Sequence, residues 1–160
     1  MAWTTPRTWV AGETVTAALL NQQIRDNEAA IFPIGGTFAS WAVAVRQSST
    51  PAQTVNYARY FKIGRLVYAA WSVTINGAGV ANNSIIVDNL PVAAAVASGI
   101  HGSFKYFDAG NTVRAGHVWG ASTTSLAFNY TSFGNNMGIG DFAMAAGDVI
   151  EGFVMYEGAS

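Results

Sequence analysis

Arg65-Leu66-Val67-Tyr68-Ala69-Ala70-Trp71-Ser72-Val73-Thr74-Ile75-Asn76 is the stretch on which the reading of the fold turns. Val67, Ala69, Trp71, Val73 and Ile75 fall on alternate positions, and Tyr68, Ser72 and Thr74 fall between them. A period of two sends the two sets to opposite faces, as a half-buried strand requires. Gly64 precedes the run, and Asn76-Gly77-Ala78-Gly79 follows it with the Gly and Asn content of a turn that uses positive φ.

The same alternation recurs on both sides. Val55, Tyr57, Arg59 and Phe61 lead into Gly64, and Ile85 and Val87 lead into Asn89-Leu90-Pro91. Phe104 and Tyr106 precede Asp108-Ala109-Gly110-Asn111, while Val113, Ala115, His117 and Trp119 follow it. Leu126, Phe128 and Tyr130, then Val149, Phe153 and Met155, complete the set, with Gly134-Asn135-Asn136 as a further loop tip. Seven or eight short strands at a spacing of about 8–12 residues, without a βαβ unit, predict a mainly β, jelly-roll-like antiparallel sandwich.

Before Gly36 the period differs. Trp3 and Trp9 flank Thr5-Pro6-Arg7 in what reads as an extended arm. From Val15 to about Phe32, Ala17, Leu20, Ile24, Asn27 and Ile31 repeat at intervals of three and four, which predicts one short α-helix. Thr14 or Thr16 would cap it, and Pro33 with Gly35-Gly36 would end it. That stripe suits a coiled-coil seam in which one Asn fixes register, with Arg25 and Asp26 beside it to pair with a neighbouring helix. It equally suits a lone amphipathic helix packed on its own domain. The organisation expected is an arm and helix over residues 1–36 and a sandwich over 37–160.

Composition removes several functions. Charged residues are 11% of the 160, against roughly 25% in an ordinary soluble domain. Such a neutral surface hints at cover by neighbours. A net charge of −1, with Lys62 and Lys105 the only lysines, excludes a phosphate-binding stripe, so nucleic acid is not an expected partner. No apolar run reaches the ~18–20 residues needed to cross a bilayer, so membrane insertion is not expected, and Met-Ala-Trp-Thr-Thr-Pro-Arg lacks the pattern of a secretory signal. Cysteine is absent, which excludes disulfides and thiolate metal sites, and no cofactor motif is present, so none is expected.

Catalytic signals are sparse. His101 and His117 form no HxH, HExxH or facial-triad spacing, and His117 shares a strand face with Val113 and Trp119 as a structural histidine would. Asp88, Asp108, Asp141, Asp148 and Glu151 are the carboxylates from which a glycosidase pair would be drawn. Most of them lie at expected turns, where aspartate bonds its own backbone. No catalytic residue is assigned, and the chain is expected not to be an enzyme.

Trp3-Thr4-Thr5-Pro6-Arg7-Thr8-Trp9, Gly12-Glu13, Val15-Thr16-Ala17-Ala18, Leu20-Asn21 and Ile24-Arg25-Asp26-Asn27 together resemble the N-terminal signature of a family of tailed-bacteriophage minor tail or virion structural proteins. The pattern is matched almost throughout positions 3–27, about a sixth of the chain. The segments Tyr57 to Val67 and Ala146 to Ile150 are similar in style to the start and close of the β-rich domains attached to that signature. The resemblance implies a virion component, assembled in the host cytoplasm as a homotrimer, whose N-terminal arm attaches to other virion proteins. Trp3, Pro6, Arg7, Trp9, Leu20, Ile24, Arg25, Asp26, Asn27 and Ile31 are then the attachment and assembly residues, with Trp3 and Trp9 as buried anchors. The location is either the tail or the capsid, as a decoration protein or head fibre. A carbohydrate-binding host-adhesion module is the alternative, with a host-surface glycan met by exposed Trp or Tyr and the Asn/Gly loops.

Overall fold

The computed structural model describes residues 7–25, 27, 38–109, 112–130, 136–139 and 142–159. The chain divides into two compact units, Met1–Thr37 and Phe38–Ser160.

In the first unit Gly12, at φ +84, turns the arm so that Glu13 N–H reaches the Val10 carbonyl at 3.1 Å. Thr16 Oγ1 then accepts from Leu19 N–H at 3.3 Å and caps α1 (Ala17–Leu20). Of the two expected caps, Thr16 serves. The expected short helix is present as α1, followed by a π-helical turn over Asn21–Arg25, beyond which Asn27 is again α-helical. Bonds to the fifth residue widen the spiral, so a stripe spaced for 3.6 residues per turn is not carried on as one α-helical seam. The expected remainder, toward Phe32 and the Pro33-Gly35-Gly36 stop, lies outside the described residues.

The second unit is one antiparallel sheet of nine strands among the described residues. In chain order these are β1 (Ala39–Ser40), β2 (Ala44–Gln47), β3 (Gln53–Ile63), β4 (Leu66–Ile75), β5 (Ile85–Asp88), β6 (His101–Asp108), β7 (Thr112–Ser122), β8 (Ser125–Asn129) and β9 (Val149–Glu157). Across the sheet the order is β1-β3-β4-β9-β6-β7-β8-β5-β2. The strands are more numerous than the seven or eight expected, and β3 and β7 run to eleven residues each.

The sheet is curled on itself. In a flat sheet β4 and β8, four places apart, would be about 19 Å from one another. Instead the rings of Trp71 on β4 and Phe128 on β8 are 6.4 Å apart, and Phe104 on β6 lies 4.8 Å from Phe128. The outermost strands, β1 and β2, are joined by Trp41-Ala42-Val43 alone, which holds the two edges within about 14 Å. Trp41 closes the curl edge-on against Trp71 at 6.4 Å. The result is the sandwich-like, mainly β fold read from the alternation.

Val67, Ala69, Trp71, Val73 and Ile75 are all completely buried, so the deciding stretch is oriented as its period requires. Gly64, at φ +57, makes the two-residue turn that returns β3 into β4, with Ile63 opposite Leu66. The Asn76–Gly79 loop departs from expectation, since neither of its glycines has positive φ. Gly79 is needed for proximity instead: a Cβ there would sit 2.2 Å from Gln47 Oε1.

Candidate functional site

The strands β3, β4, β9, β6 and β7 lie side by side and present one continuous outer face. Their register lines up Phe61, Tyr68, Met155, His101 and Trp119 in a row across five strands. The next row is Arg59, Ala70, Phe153, Ser103 and His117, and the next Tyr57, Ser72, Glu151, Lys105 and Ala115. Aromatic rings run along one side of this face. Phe38 lies 5.6 Å from Phe61, Phe61 stacks on Tyr68 at 5.3 Å, and Tyr68 stacks on Phe153 at 6.0 Å.

Two open hollows of about 410 Å³ each lie on this face and share Tyr57, Tyr68 and Ala70 as a common wall. Phe38, Asn56 and Arg59 line the first; Ser103, Lys105, Glu151 and Phe153 help line the second. Gly152 supports the second from within, because a Cβ there would meet Trp71 Cζ2 at 2.8 Å from the core side. Partial burial, then the Glu151 carboxylate and Tyr68, push the Tyr57 hydroxyl above its ordinary pKa. Lys105 and Glu151 stand opposite each other on β6 and β9, but Lys105 Nζ lies over the Phe107 ring, 4.2 Å from its centroid. Among the described residues Arg59, Lys105 and Glu151 form no ion pair; the pairs are Arg7–Glu13, Arg46–Asp88, Arg65–Glu157 and Arg114–Asp108.

The histidines belong to this face. Both are exposed, with His101 opposite Trp119 and His117 opposite Ser103, which makes them diagonal neighbours. His117 shares its face with Val113 and Trp119, as their spacing predicts, and that face is the exposed one. The carboxylates are mostly tied into the fold. Asp88 and Asp108 pair with Arg46 and Arg114, and Asp148 is buried and fully bonded, while Asp141 lies outside the described residues. Among the described residues no three of His, Asp and Glu converge as metal ligands would.

Of the N-terminal residues singled out, Trp3, Pro6, Asp26 and Ile31 lie outside the described residues. Arg7 pairs with Glu13, its backbone N–H donates to Gln23 Oε1 at 3.1 Å, and its guanidinium sits 5.0 Å from the Trp9 ring centre. Trp9, Leu20 and Ile24 are exposed, as are Val10 and Val15. Trp9 is thus not an anchor buried within its own chain. Arg25 ends the π-helical turn, and Asn27 is buried with its amide donating to the Gln23 carbonyl at 3.3 Å.

Several outer-face residues stand out in the sequence, but not their union in one surface. The signal was present in β9, where Val149, Phe153 and Met155 alternate with Ile150, Val154 and Tyr156, so that both sets are largely apolar. A strand apolar on both sides is one that meets something on both sides. Comparison with protein-family models, curated proteins and solved structures finds no match to this chain.

Proposed function

We propose that the chain is a non-enzymatic structural component of a tailed-phage particle, self-associated as a homotrimer. Residues 1–36 attach it to other virion proteins, and the sandwich is displayed from the particle surface, on the tail or on the capsid. The observation that carries this reading is the N-terminal unit. Its resemblance to the virion signature coincides with Trp9, Val10, Val15, Leu20 and Ile24 standing exposed on a small unit of their own. Large apolar side chains left uncovered in this number mark a surface that another protein buries. The Arg7–Glu13 pair, with Glu13 also accepting from Val10 N–H and Arg7 over the Trp9 ring, suits an arm that docks in one course.

Immunogold labelling of intact particles with antibody raised against residues 37–160 tests the reading. Gold over the tail or the head supports it and separates the two locations. Particles without gold, from lysates in which the free chain is abundant, would refute it.

A further inference from the structure

We infer that the outer face of β3, β4, β9, β6 and β7 is where a second copy of this chain packs. The inference rests on the self-assembly in the reading above and names the surface that carries it.

Three observations select that occupant. The first is extent: Phe38, Tyr57, Leu66, Trp119, Phe153 and Met155 are each 39–50% exposed. With about 150–250 Å² as the full surface of a large side chain, they leave about 500 Å² of apolar surface in water. A standard interface buries about 800 Å² per partner, of which about 65% is apolar between identical copies, so this face supplies the apolar share of one interface. The patch spans five strands, too wide for a ring-sized ligand seated in either hollow.

The second is composition. Interface centres favour Tyr, Trp, Phe, Met and Arg; those types fill four of the five places in the row from Phe61 to Trp119, and Arg59 and Phe153 supply two more in the next row. The third is charge. Arg59 on β3 and Glu151 on β9 face the hollows from different strands and form no ion pair among the described residues. Lys105 on β6 is likewise outside any ion pair among the described residues, so the face carries cations on β3 and β6 beside a carboxylate on β9 and meets a second copy with opposite signs matched. Arg59 of one copy pairs with Glu151 of the next, while the aromatic side fills the hollow beside Tyr57 and Tyr68.

The test is sedimentation velocity on the full chain from about 1 to 100 μM. The expected result is a multimer that Phe153→Glu or Trp119→Glu converts to monomer with an unchanged circular dichroism spectrum. Both side chains are exposed, so neither change removes core. Arg59→Glu and Glu151→Arg each weaken assembly at least tenfold, and combining them in one chain restores it. A monomer at every concentration overturns the inference, as does a multimer indifferent to Phe153→Glu and Trp119→Glu. Monomeric chain that binds a glycan array through Tyr68 also overturns it and gives the face to a saccharide. Gold-negative particles beside an intact, Phe153-dependent multimer would sink the virion reading alone.

Discussion

The Tyr106 hydroxyl on β6 donates to Oδ2 of Asp148, the residue that leads into β9. The same carboxylate accepts from Ala145 N–H at 2.7 Å and, through Oδ1, from Ala109 N–H at 2.8 Å. One buried side chain thus ties two loops to the core. Asp148→Ala strands three donors and is expected to lower unfolding free energy by about 3 kcal/mol or more, whereas Tyr106→Phe removes one charge-assisted bond worth about 1.5–3 kcal/mol. Urea denaturation measures both. A loss under about 0.5 kcal/mol for Asp148→Ala would show that the carboxylate is not the clasp.

Alkali should expose the buried tyrosines. Tyr156 donates to the Val92 carbonyl at 2.8 Å, and burial pushes its hydroxyl up to about 12, while burial and the bond to Asp148 push Tyr106 higher still. Unfolded tyrosine titrates near ~10. Both folded values lie above the unfolded one, so the stability they contribute is full below pH ~10 and falls away as pH rises toward 12 and beyond. Absorbance at 295 nm should leave at least two of the six tyrosines protonated at about pH 11 until urea unfolds the chain. Complete titration of all six in native protein at that pH would contradict the burial of these hydroxyls.

Gln47 is a second clasp. It is completely buried, donates through Nε2 to the carbonyls of Asn83 at 3.0 Å and Phe142 at 2.9 Å, and accepts at Oε1 from Met144 N–H at 2.8 Å. Gln47→Leu keeps most of the volume and loses all three bonds, for an expected cost of about 3 kcal/mol. Thermal unfolding followed by circular dichroism reads it out, and a variant as stable as the parent would remove Gln47 from the scaffold.

Gly102 on β6 admits no side chain. A Cβ there would lie 2.0 Å from the Phe153 carbonyl oxygen and 2.8 Å from Val154 Cγ1. Gly102→Ala should therefore cost on the order of 3 kcal/mol, since backbone must move. Ala115→Ser, on the exposed face of the adjacent strand, should change stability by less than about 0.5 kcal/mol. Equal midpoints for the two variants in urea would contradict the tight β6–β9 approach.

Alternation made the sandwich legible, because Trp71 and its neighbours occupy alternate positions in a run long enough to allow one orientation. It said less about which face of each strand was inside. On β3 and β7 the conspicuous sets, Tyr57 with Phe61 and Val113 with Trp119, face out, while the core sides hold the less conspicuous Ala58 and Val118. Periodicity separates two faces without labelling them, and small residues mark a core as well as large ones do where the opposing wall carries Trp71 and Phe128. The outer face was illegible for a further reason: its rows are assembled from five strands whose neighbours in space are far apart in sequence. The helix was visible by its spacing, but the π-helical turn was not, since one added residue per turn leaves little trace in so short a segment.

The position of β9 imposes an order on synthesis. It lies between β4 and β6, yet it is the last strand of this stretch to leave the ribosome. Without residues 149–157 the strand order falls into two parts, β1-β3-β4 and β6-β7-β8-β5-β2, with no hydrogen-bonded strand between them. Phe153 and Met155 arrive on that same strand, so the outer face lacks its middle strand until then. Any contact that uses this face therefore forms only after residues 149–157 have emerged.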